Sequence, residues 1–168
     1  MTGTPRFSRV MAVVDLGARG REVARQAWNL ARQHGARLCL GHVADWGAEL
    51  GADGFSPLTP PEVEQRLHEV VRRKLAAMAG ELGAADQAVS TVVAFPGIDR
   101  GIAELLRGWQ PDLVVADSRA GIDIDDGRIE VPGWSCTAVT VQVMRSWPAG
   151  LRDLLDTLHP ARPAPRIG

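Results

Sequence analysis

A doubly wound α/β fold is what this sequence predicts, and three observations lead there. Short β-branched apolar runs without polar alternation recur along the chain, as in parallel strands covered on both faces. Segments of helical period separate these runs. The 168 residues suit one such domain and are too few for two.

The first run, RVMAVVD at 9–15, is the first expected strand. A helix follows, with Val23, Ala27, Leu30 and Ala31 at helical spacing and Gly35 where a C-terminal stop belongs. ARLCLGHV at 36–43 repeats the strand pattern, and the glycine-rich stretch 44–59 reads as a long loop. Thr59-Pro60-Pro61-Glu62 starts the next helix: Thr59 accepts from a free N–H, Glu62 reaches back, and Pro60 suits the first helical position. Val63, Leu67, Val70, Val71, Met78 and Leu82 mark its apolar face.

QAVSTVVAF at 87–95 is the third strand, and Pro96-Gly97 turns into a helix whose buried side carries Ile98, Ile102, Leu105, Leu106 and Trp109. Pro111 stops that helix before the fourth strand, DLVVA at 112–116. The last strand, 136–144, differs because Val139, Val141 and Val143 alternate with Thr140 and Gln142, so one face is wet or otherwise covered. The domain is thus expected over 1–145, with a C-terminal part over 146–168 comprising the amphipathic segment 149–159 and a proline-rich tail.

Charge narrows the partners. Lys+Arg at 19 against Asp+Glu at 20 give a net charge of −1, so nucleic acid and anionic membranes are not expected. With neither a signal peptide nor a membrane-spanning run, the expected compartment is the cytoplasm. Cys39 and Cys136 lie in apolar runs and read as buried thiols.

In a doubly wound sheet, ligands sit beyond the carboxyl ends of the strands at the point where strand order reverses. The loops after Asp15, Val43, Phe95 and Ala116 are therefore the places for a site. Asp15 and Asp117 form a weak candidate pair for a divalent cation, against the simpler reading of a turn and a capping aspartate. The cluster Asp123, Asp125, Asp126 fails the calcium-loop spacing when counted back from Gly127. Gly17-Ala18-Arg19-Gly20 lacks the remaining residues of a dinucleotide or Walker loop and reads as a plain helix start. His42 reads as a core histidine with one hydrogen-bond partner, and no histidine serves Ser118 as a base. Trp46 and Trp134 are placed in loops at the ligand edge.

The order VMAVVDLG, RLCLGHV, VVAFPG, then GIAELLRGWQPDLVVADSRAG resembles the universal stress protein family over residues 9–144. The resemblance implies a sheet of five parallel strands in order 3-2-1-4-5, and a homodimer joined along the last strand. It also implies a nucleotide crevice at Asp15, Val43, Ala116, Asp117 and Ala120. In ATP-binding members, three glycines and a final Ser or Thr after the fourth strand form a phosphate cradle, and these positions fall here on Asp117, Ala120, Glu130 and Val131. Glycine lets backbone N–H groups approach a phosphate, whereas Asp117 and Glu130 would present carboxylates, with Asp123, Asp125 and Asp126 between them.

Residues 121–135 leave too little chain for the usual fourth crossover helix, which is expected to be shortened or lost. Its absence would uncover the Thr140 and Gln142 face of the last strand, for the segment 149–159 or a partner chain to cover. The sequence therefore leads to a non-catalytic, universal-stress-protein-like regulatory or binding protein of the bacterial stress response, with no cofactor and a vestigial nucleotide crevice. A nucleotide binder with a rearranged loop using Gly121, Gly127 or Gly133, and a protein-interaction module, are the alternatives.

Overall fold

The computed structural model describes residues 6–44, 60–83, 89–94 and 98–142. Outside them lie Trp46 and most of the 44–59 loop, Thr59, the Pro96-Gly97 turn, Val143, and all of 146–168.

Six strands and three helices are described: β1 (Arg9–Val13), α1 (Ala18–His34), β2 (Arg37–Val43), α2 (Pro60–Glu81), β3 (Ser90–Ala94), α3 (Ile98–Trp109), β4 (Leu113–Asp117), β5 (Arg128–Val131) and β6 (Trp134–Val141). They form one mixed sheet in the order β3-β2-β1-β4-β6-β5. The doubly wound α/β class and the 3-2-1-4 core follow the expectation, but the five-stranded all-parallel sheet does not. A sixth strand, β5, pairs antiparallel with β6, Ile129 opposite Cys136, while β6 runs parallel to β4 with Thr137 opposite Leu113.

Two glycine turns make this possible. Asp126 and Gly127 both adopt positive φ, 46° and 71°, and Asp125 and Arg128 exchange backbone hydrogen bonds of 2.9 and 2.8 Å. This is the Asp-Gly pattern of a type I′ turn, whose twist matches that of paired strands. At the other end Pro132 and Gly133, the latter at φ 85°, turn β5 into β6. The chain thus returns across the sheet as a strand, and the fourth crossover carries no helix.

The helices divide the core by face. From β1, β2 and β4, Val10, Ala12, Leu38, Leu40, Leu113 and Val115 pack against α1 and the Leu67, Val71, Leu75 and Met78 stripe of α2. Leu75, fully buried, belongs to that stripe although the sequence reading passed over it. On the opposite face Met11, Cys39, Val114, Ile129, Cys136 and Ala138 meet Ile102, Leu105 and Leu106 of α3. Ile122 and Ile124, from the loop after β4, pack against this second cluster. No described helix is long and apolar enough to cross a membrane.

Further corrections concern the last strand. It begins at Trp134, so Trp134 stands at the N-terminal edge of the sheet, opposite the ligand edge, with its Nε1 donating to the Pro111 carbonyl at 3.3 Å. Thr140 and Gln142 are exposed, as expected, but Cys136 and Ala138 on the same side of the strand are buried, and on the other side Val139 is 39 % exposed while Val141 packs in part against the α1 side of the core.

Candidate functional site

A crevice of about 240 Å³ opens at the C-terminal ends of β1, β2 and β4. Of the five crevice residues expected from sequence, Asp15, Val43, Asp117 and Ala120 line it. Ala116 does not: it is fully buried in β4 between Val13 and Thr140. Val13, Val23, Ile102 and Ile122 make apolar walls, and Arg19 and Arg119 bring positive charge.

Each acid has a local partner. One oxygen of Asp15, Oδ1, accepts from the N–H groups of Gly17 at 2.7 Å and Gly20 at 3.0 Å, anchoring the start of α1. A Cβ on Gly20 would stand 1.8 Å from the Asp15 carbonyl oxygen, so only glycine lets the helix come this close. Oδ2 of Asp117 pairs with Arg19 Nε at 2.9 Å, and its Oδ1 accepts from the Arg119 backbone N–H at 3.0 Å. The Asp117 side chain is 10 % exposed, so the pairing offsets the cost of taking a carboxylate out of water.

Neighbouring groups are tied into the fold. Nδ1 of the buried His42 donates to the Val14 carbonyl at 2.7 Å. Val43 is held by α3, where a Cβ on Gly101 would reach within 2.5 Å of its Cγ1. The thiols of Cys39 and Cys136 are buried, and burial pushes them up to about 12 and about 11. Neither is a thiolate at neutral pH. Among the described residues no group of three or more His, Cys, Asp or Glu could hold a metal ion.

The expected acidic replacement of the phosphate loop does not form. Asp123, Asp125, Asp126 and Glu130 are exposed, and none lines the crevice. Glu130 and Val131 sit in β5 opposite Ser135 and Trp134, whereas Asp117 stands opposite Val141. At the rise of an extended strand this separates the two halves of the motif by roughly 20 Å along the sheet. The four positions cannot close around one polyphosphate in this arrangement.

The sequence reading missed the two arginines as site residues. Their signal was positional: Arg19 stands in the first turn of the helix after β1, and Arg119 two residues beyond β4.

The universal stress protein family model matches residues 6–124. Among solved structures, a universal stress protein family member from Burkholderia pseudomallei is 18% identical, with a TM-score of 0.51, 68% of this chain and 83% of that one being covered. The universal stress protein UspA from Lactobacillus plantarum is 17% identical with a TM-score of 0.50, over 73% of this chain and 88% of that one. A universal stress protein from Archaeoglobus fulgidus, in complex with dAMP, is 18% identical with a TM-score of 0.44, over 70% and 86%. No curated protein matches the chain. The family match spans β1 to β4 and ends just before the hairpin begins: the chain belongs to the universal stress protein family.

Proposed function

We propose that this chain is a non-catalytic regulatory or binding member of its family that does not take ATP in the phosphate-cradle mode. One observation carries the reading: Glu130 and Val131 are built into β5, far from Asp117 and Ala120. Asp117 itself is occupied by Arg19. Titrating the full chain with ATP by calorimetry tests this, and micromolar binding would overturn it. That result would favour the alternative of a nucleotide site with a rearranged loop.

A second reading, an interaction surface, is favoured by the exposed Val139 on the open face of β6. In this reading the domain of 1–145 is completed by the segment 149–159, whose Leu151, Leu154, Leu155 and Leu158 recur at helical spacing. A homodimer through the last strand would have to use this face or the outer edge of β5, since β5 takes the edge of β6. Deleting 145–168 and measuring mass in solution separates the cases: a stable dimer that survives deletion counts against cover by the segment.

A further inference from the structure

The sheet ends in two edge strands, β3 and β5, and only β5 is guarded. An edge strand offers unpaired N–H and C=O groups to any other strand, and charge, proline or a covering segment blunts it. Beside β5, Ala138 donates to the Gly127 carbonyl at 2.8 Å, so by alternation Ile129 and Val131 bond β6 while Arg128 and Glu130 face outward. Asp125 already takes the N–H and C=O of Arg128. Glu130 remains, and a second copy pairing there would set one glutamate opposite another, which is destabilising.

β3 has none of these guards. Its residues, Ser90-Thr91-Val92-Val93-Ala94, include no charge and no proline, and among the described residues it pairs only with β2. The Ala94 carbonyl accepts from the Ala44 N–H at 3.0 Å, so Ala94 and Val92 bond toward β2, and the N–H and C=O groups of Thr91 and Val93 point outward. Thr91 is exposed, and Val92 and Val93 are half-buried.

This edge is complementary to itself. An antiparallel copy centred on Val92 places Thr91 opposite Val93 of the other copy, and Val93 opposite its Thr91. Every outward N–H then meets a C=O, and no like charges oppose each other. A register shifted by one residue sets these groups against ones already bonded to β2, and a shift by two leaves part of each row unpaired.

We infer that two copies of this chain pair antiparallel along β3 about a twofold axis at Val92, forming one continuous sheet. The contact is isologous, each copy using the same surface. It lies at the opposite end of the sheet from the last strand, whose own edge is taken by β5. The inference is independent of whether the crevice takes ATP.

Sedimentation of the full chain tests it, with circular dichroism checking that each variant folds. At about 0.1 mM the wild type should be a dimer. Val93→Pro removes an outward N–H and no bond to β2, and Thr91→Lys sets a charge on the edge; each should raise the dimer dissociation constant by roughly tenfold or more. Should Val93→Pro fail to fold, Thr91→Lys decides. Glu130→Lys, at the other edge, should leave the dimer unchanged. Val92→Cys should cross-link two copies on oxidation, since the two residues at the axis stand directly opposite, whereas Cys39 and Cys136 are buried. A monomer at that concentration overturns the inference and leaves the edge to a strand of another protein. A dimer that Thr91→Lys does not weaken, that Glu130→Lys does weaken, or that Val92→Cys does not cross-link overturns it as well.

Discussion

The two sides of the sheet are built by different rules. In the β2-β1-β4 centre nearly every residue is buried, because α1 and α2 cover one face and α3 the other. In the β6-β5 flank only Ile129, Cys136 and Ala138 are buried, all toward α3, and on the α1 side Val139 is exposed and Val141 only partly covered. The centre is stabilised by apolar area removed from water on both faces. The flank depends on one buried face, two turns and antiparallel pairing, and a hairpin of that size is marginal without such support. The family pattern ends where the first rule gives way to the second.

Substitutions can sharpen or break this contrast. Leu40→Ala removes a fully buried side chain from the centre and should destabilise the protein by roughly 2–5 kcal/mol in urea unfolding. A loss no larger than that of a surface change would deny the centre its role. Gly127→Ala forces a Cβ into the left-handed region at φ 71° and should cost roughly 1–2 kcal/mol. Hydrogen exchange should show that cost concentrated in β5 and β6; uniform loss of protection would mean that the flank does not open separately.

Asp112 ties the N-terminal ends of β1 and β4. It accepts from the N–H groups of Ser8 and Arg9 at 2.8 and 2.9 Å and from the Ser8 hydroxyl at 2.8 Å. Burial acts to raise its pKa, but these donors together hold it below the ordinary 3.8. A depressed folded value means that the carboxylate contributes stability above the ordinary value and loses it as pH falls through the folded one. Asp112→Asn should therefore be less stable than wild type at neutral pH, with the gap closing below pH 3.8. A gap independent of pH in urea titrations would refute the linkage. The smallest effect belongs to Val139→Thr on the open face, within about 0.5 kcal/mol. A larger loss in thermal melting would reveal that something covers Val139.

Much of the centre was legible because its causes are local. Strands buried on both faces read as apolar runs, and the spacing of Val23, Ala27 and Ala31 already faces α1 inward. The crevice was legible by position, since four of its five expected residues line it. The flank was less so. Asp126-Gly127 is a hairpin signal, but among so many acids it reads as a charge cluster rather than as a turn.

By itself, then, the sequence determined the β1 to β4 order of elements and the missing fourth helix, because each follows from periodicity or from a residue type at a fixed place. Only the tertiary structure decided what those acids do. Asp117 meets Arg19, distant in sequence, across the crevice. Glu130 is carried to the far edge by a strand that exists because β6 lay open to pair with it. Partners and faces are set by which surfaces meet after folding, and nearness along the chain does not encode them.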